Sequence, residues 1–264
     1  MPRLPTLFIS HGSPMLAIRE SPAHRFLLTL GATMPRPSAI LVASAHWESP
    51  GEAVVSLAPQ PETIHDFGGF PQALFDIQYP APGAPVVASR AAALLEQAGI
   101  PVKTSPDRGL DHGAWVPLHL MYPDAGIPVT QVSLVHGASP AEHRRMGQAL
   151  SSLRDDGVLV IGSGSLTHNL REFRGQEVDA PAPAWVSEFA VWMKQRLEQE
   201  DFPSLLDYRE QAPFAVRNHP TEEHLLPLFV AMGAAGAAND SAGAEHLHGS
   251  YEHGVLAMDV YAFN

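Results

Sequence analysis

Short apolar runs bounded by turn residues alternate with segments of helical periodicity along the chain. The strand-like runs cover residues 4–10, 39–45, 53–57, 129–135, 158–161 and 255–263. They are rich in Val, Ile and Leu with little polar alternation, as expected of strands buried on both faces. Helix candidates lie between and after them, at residues 22–30, 86–98, 141–153, 183–200 and 222–234. Ser139-Pro140-Ala141-Glu142 has the form of a capping box with proline at the first helical position. This alternation predicts an α/β fold: one domain spanning residues 1–264, with a mainly parallel central sheet flanked by helices. Residues 59–85, crowded with Pro, Gly and aromatic side chains, interrupt the pattern and read as an ordered loop over a site.

Composition narrows the chemistry. Cysteine is absent, which removes disulfides, thiolate nucleophiles, Cys-ligated zinc and iron–sulfur clusters together. Fourteen histidines stand against that absence, so a transition metal here would be held by imidazole and carboxylate. Lys+Arg 16 against Asp+Glu 28 gives a net charge of −12. That balance leaves no basic stripe to neutralise a phosphate backbone, and nucleic acid is not an expected partner. With no apolar run of 18 residues, no membrane span is expected either, and a soluble cytoplasmic protein is the default. Oligomeric state leaves no mark on the sequence.

Three strand-like runs deliver a histidine in the same way. Residues 6–10 lead into His11-Gly12-Ser13-Pro14, and residues 40–45 into His46-Trp47. Residues 158–161 lead through Gly162-Ser163-Gly164-Ser165-Leu166-Thr167 to His168-Asn169. Open α/β sheets bind ligands at the carboxyl ends of parallel strands, so these three can gather imidazoles from distant positions. Each taken alone reads equally well as a hydrogen-bonded histidine at a strand end; the repetition points to a site. Two further candidates flank helices. Thr221 can N-cap the segment at 222–234, placing His224 in its first turn, with Pro227 expected to kink or shorten that turn. The alternative is that Glu222 and Glu223 serve the helix N-terminus and His224 is incidental. Asp111 can N-cap the helix carrying Trp115, leaving His112 at its mouth. Phe67, Phe70 and Trp47 either wall an aromatic pocket or belong to the core, and Arg171 and Arg217 are candidate partners for a substrate carboxylate. His246, His248 and His253 have metal-like spacing but lie among Gly, Ser and Glu, which reads as a solvated loop.

Longer segments carry a family resemblance. They are His11-Gly12-Ser13-Pro14, Ser44-Ala45-His46-Trp47, the stretch Thr63-Ile64-His65-Asp66-Phe67-Gly68-Gly69-Phe70-Pro71, Tyr79-Pro80-Ala81-Pro82-Gly83, Asp111-His112-Gly113, Thr167-His168-Asn169-Leu170 and Glu223-His224-Leu225-Leu226-Pro227-Leu228. In this order the chain resembles the class III, LigB-like extradiol ring-cleavage dioxygenases, within them the DOPA 4,5-dioxygenase subgroup. The resemblance implies a non-haem Fe(II) enzyme that opens a catechol ring beside its two hydroxyls with O2. It implies His11 and His46 as metal ligands and places His224 where the third is expected. His168 falls at the acid–base position, His112 near the substrate hydroxyls, and His65 in a loop expected to face the substrate.

One departure matters. The wider class uses two His and one Glu, whereas His224 stands here with Glu223 beside it. A three-His site also suits Zn(II), which could recruit His168 as a fourth ligand. A zinc hydrolase with Glu223 or Glu48 as general base, and a non-catalytic metal-binding module, are therefore the alternatives. The absence of a His-Glu-x-x-His motif counts against the first, and the surplus of His112 and His168 against the second.

Overall fold

A computed structural model describes residues 3–236 and 243–264 of the chain. The apolar runs lie side by side in it. β1 (Thr6–Ser10), β2 (Ala39–Pro50), β5 (Val129–His136) and β6 (Val158–Gly164) form a parallel core in the order β5-β2-β6-β1. β3 (Ala53–Ser56) pairs antiparallel with β5 and carries β4 (Val102–Ser105) parallel at one edge. On the other side β10 (Val260–Phe263) pairs antiparallel with β1, and β7 (Ala244–His248) closes that edge. A separate two-stranded ribbon joins β8 (Tyr251–Glu252) to β9 (Leu256–Ala257).

Side chains of the central strands feed two apolar clusters, one on each face. Phe8, Leu41 and Ala43 belong to one, and Leu7, Ile9, Ile40 and Val42 to the other, which is the period-two alternation of a strand covered on both sides. Helices α3 (Pro85–Gln97), α5 (Pro140–Leu150) and α10 (Leu226–Ala235) cover the first face. α1 (Pro22–Thr33) and α4 (His112–Met121) cover the second. α6 (Ala184–Glu198) contributes Phe189 to the first cluster and Trp185 to the second. Short turns of helix, α2 (Gln72–Phe75), α7 (Phe202–Leu206), α8 (Tyr208–Gln211) and α9 (Ala215–Asn218), complete the path. The α/β reading with a mainly parallel central sheet holds. No helix among the described residues is long and apolar enough to cross a membrane.

Several boundaries differ from the sequence pattern, each for a physical reason. β2 runs past residue 45 to Pro50, and its register against β5 breaks between Ala43 and Glu48. His46 sits inside that irregularity, where a bulge re-aims a side chain. The segment at 222–234 begins its helix only at Leu226. Pro227 lies in the first turn, where proline's missing N–H costs nothing, so the helix is neither capped by Thr221 nor kinked. Residues 141–153 divide into α5, with its capping box intact, and a 3-10 turn at Ser151–Asp156. The run at 255–263 is broken by Asp259, whose carbonyl accepts the Ser10 N–H at 3.1 Å, and becomes β9 and β10.

Candidate metal centre

The parallel strand order determines what can meet. β6 lies between β1 and β2, so the residues following β1, the bulge of β2 and the loop after β6 share one edge of the sheet. His11 emerges directly after β1, and its backbone N–H donates to the Gly164 carbonyl at 2.9 Å. The turn carrying His224 lies flat against the end of β6: the Ser165 N–H donates to the His224 carbonyl at 2.8 Å. Any Cβ at Gly164 would collide with that carbonyl, so this close approach requires glycine.

Each of three imidazoles has its Nδ1 engaged by an oxygen. Ser163 donates its single hydroxyl proton to the Gly113 carbonyl and therefore accepts from His11 Nδ1, 3.0 Å away. His224 Nδ1 lies 2.9 Å from the Glu223 carboxylate, and His46 Nδ1 lies 3.4 Å from the Asp66 carboxylate. A carboxylate has no proton to give, so the Glu223 bond places the His224 proton on Nδ1, and the Asp66 charge favours the same tautomer of His46, leaving Nε2 of each as a bare lone pair. His11 Nε2 and His46 Nε2 then face each other at 3.0 Å, two acceptors with no proton to share. His224 Nε2 is buried with no hydrogen-bond partner. One ring nitrogen from each of the three lies within 4.8 Å of the others. Bare converging nitrogens with oxygen-anchored backs are the arrangement of metal-ligating histidines, and this donor set fits a divalent transition metal.

Burial and the neighbouring imidazoles hold His11 well below the ordinary histidine value. Burial does the same to His224 against the pull of Glu223, and takes His46 down to about 4. Burial alone would raise Asp66, but the hydrogen bond from His112 brings it to about 2. Glu223 reaches about 2, its burial outweighed by the bond from His224.

Two more histidines complete the wall. His112 is the first residue of α4, which Asp111 caps by accepting the Ala114 N–H at 3.2 Å. Its Nδ1 and its backbone N–H both meet Asp66 Oδ1, at 2.9 and 3.0 Å. Asp66 thus joins His112 to His46. The His168 ring stacks on His224 with centroids 3.5 Å apart, and no described residue hydrogen-bonds its ring nitrogens. Burial lowers it to about 4. His168 groups with Glu223 and His224, not with His11 and His46.

His46, Asp66, His112, His168 and His224 line a cavity of about 590 Å³, walled on its other sides by Met15, Phe67, Phe70, Leu170, Phe173 and Val255, with His11 buried beside it. Its size suits a small aromatic ligand. Other expectations are met unevenly. His65 does not line this cavity; its Nε2 meets the Ile77 carbonyl at 3.0 Å and its ring packs on Trp115. Trp47 lies outside it, beneath Arg108. Arg217 is paired with Glu172 at 3.0 Å and lies over Trp185, and neither it nor Arg171 reaches the cavity wall. Glu48 meets His136 at 3.3 Å, and Glu223 is held by His224, so neither is placed as the general base of a hydrolase. His246 is paired with Asp259 at 2.8 Å and His248 stacks on Phe26, while His253 alone of that trio lines the cavity. Asp66 escaped the sequence reading, although it stands beside His65 in the Thr63–Pro71 segment. Ser163 also escaped it, since one serine in a glycine-rich turn carries no signal.

Residues 5–260 match the family described as the catalytic LigB subunit of aromatic ring-opening dioxygenase. The chain is 43% identical over 262 residues to a 4,5-DOPA dioxygenase extradiol of Beta vulgaris, covering 98% of this chain and 96% of that one. It is also 43% identical over 239 residues to the protein of that name from Escherichia coli (strain K12), covering 88% and 85%. A crystal structure of an uncharacterised protein from Escherichia coli K12 superposes with a TM-score of 0.83 at 34% identity, covering 99% of this chain and all of that one.

Proposed function

Because the chain belongs to the LigB family of aromatic ring-opening dioxygenases, we propose that it opens the ring of a DOPA-like catechol with O2 and that Fe(II) is its metal. The observation carrying this reading is the set of three oxygen-backed imidazoles with converging ring nitrogens, two of which, His46 and His224, line an apolar cavity. His11, His46 and His224 would hold the iron. Bound there, Fe(II) supplies Lewis acidity toward the catechol oxygens and the electrons that let O2 react.

The chain's own residues do the rest. His168, with both ring nitrogens uncommitted, takes a proton from a catechol hydroxyl as the ring enters and returns it during ring opening. His112, with Nδ1 donating to Asp66, presents a bare Nε2 that accepts a hydrogen bond or proton from a substrate hydroxyl, and once protonated it donates to that oxygen. Phe67 and Phe70 flank the aromatic ring and exclude water.

The test is anaerobic reconstitution of metal-free protein with Fe(II), addition of DOPA, then admission of air. Oxygen uptake with a yellow ring-opened product is expected. His168→Ala should keep its iron stoichiometry and lose turnover. Absence of oxygen uptake with DOPA and with simple catechols would refute the reading, and loss of iron from His168→Ala would make His168 a ligand.

A further inference from the structure

The cavity has one charged group that the ring chemistry does not use. Arg19 follows the 3-10 turn at Pro14–Ala17, its backbone N–H donating to the Met15 carbonyl at 2.8 Å. The same turn puts Gly12, Ser13, Pro14 and Met15 along the cavity wall, and Arg19 lines it with them. No described residue hydrogen-bonds, ion-pairs with or stacks on its guanidinium. With 28 acidic groups for 16 basic ones most arginines are partnered, and of the three whose guanidinium has no partner among the described residues, Arg19, Arg171 and Arg174, only Arg19 lines the cavity. Arg25, Arg36, Arg90 and Arg217 all find acidic partners. Glu20, next to Arg19 in sequence, is taken by Arg25 at 2.9 Å.

The cavity's remaining charges make the asymmetry chemical. Asp66 is the only carboxylate among the lining residues, and both of its oxygens are occupied by His112 and His46. A ligand's ammonium would meet only Asp66, whose two oxygens already face His112 and His46, whereas a ligand's carboxylate would meet a planar fork of donors in a largely apolar wall, where such a pair is strong. We propose that Arg19 anchors the side-chain carboxylate of the substrate, so that the cavity takes anionic catechols in preference to neutral or cationic ones. The ammonium of an amino-acid catechol then contributes nothing, and a dihydroxyphenyl alkanoic acid is bound at least as well as DOPA. The catechol half of this ligand rests on the ring-opening reading; the carboxylate half rests on Arg19 alone.

Anaerobic calorimetry on the Fe(II)-loaded protein tests it with three probes: 3-(3,4-dihydroxyphenyl)propanoate, 4-methylcatechol and dopamine. The acid should bind about tenfold or more tighter than the other two, the increment of one charge-assisted pair. In Arg19→Gln the acid alone should weaken by about that factor, so that the three converge, while Arg19→Lys retains part of the preference. Equal affinities in the unaltered protein, or an undiminished preference in Arg19→Gln, overturn the proposal. Admitting air to the same samples separates the two readings. An Arg19-dependent preference without oxygen uptake leaves Arg19 as the anchor and removes ring opening. Oxygen uptake without any preference does the reverse.

Discussion

At the scale of single residues, the metal site is determined by which nitrogen of each ring carries the proton. Glu223 does this for His224 through a 2.9 Å contact, and it supplies a negative charge that the three neutral imidazoles lack. Glu223→Gln keeps an oxygen to accept the Nδ1 proton but removes the charge. Its affinity for Fe(II), measured by competition with a chelator, should fall by about 10–100-fold. An unchanged affinity would show that the carboxylate serves only the local turn. The carboxylate of Glu223 thus stands behind the imidazole of its neighbour His224.

At the scale of elements, α10 is the piece that presents the His224 turn to the sheet. All ten of its residues are buried, so packing and termini decide its stability, not surface propensity. Arg154, 3% exposed, holds its C-terminal end: Nη1 donates to the Ala235 carbonyl at 2.6 Å while Nε donates to the Leu4 carbonyl at 2.7 Å. Arg154→Met should cost about 3 kcal/mol, because buried carbonyls lose a charged donor. Denaturant unfolding checks this, and a loss under about 1 kcal/mol would mean that those carbonyls find other partners. The same elements show what was legible beforehand. Strands buried on both faces announce themselves through unbroken Val, Ile and Leu, and the histidines after β1 and β6 could be read from their place in that pattern. β4 and β7 could not, since Val102-Lys103-Thr104-Ser105 and Ala244-Glu245-His246-Leu247-His248 are the two edges of the sheet, and half-exposed edges tolerate polar residues. The bulge at His46 and the turn holding His224 depend on contacts with β5 and Gly164, which no local pattern encodes.

At the scale of the whole molecule, burying uncharged imidazoles ties stability to pH. His219 is fully enclosed, with Nε2 directed to the Leu166 carbonyl at 2.8 Å, and burial lowers it to about 4. His168 and Arg209 push it the same way, Glu223 the other. His143 is lowered too, chiefly by burial, with Nδ1 on the Ser139 carbonyl and Nε2 accepting from the Val135 N–H. An extra proton on that ring would set one donor against another. In both cases the unfolded chain binds protons that the folded chain refuses, so stability is full above pH about 6.5 and declines as pH falls toward 4. His219 alone should cost about 2 kcal/mol between pH 7 and pH 5. Unfolding free energies of the metal-free protein at the two pH values test this, and a flat or rising profile toward pH 5 would contradict it.

The position of β1 has a bearing on how the molecule is made. Its two neighbours are β6, at Val158–Gly164, and β10, at Val260–Phe263. A chain emerging from the ribosome therefore carries His11 for most of its synthesis beside a strand with no partner. The last of the three clustered histidines, His224, follows more than two hundred residues after the first, His11. Such distant pairings close slowly and late. A metal bound by these three histidines would thus be captured after release, by a chain already folded around its site, since a growing chain cannot yet bring all three together.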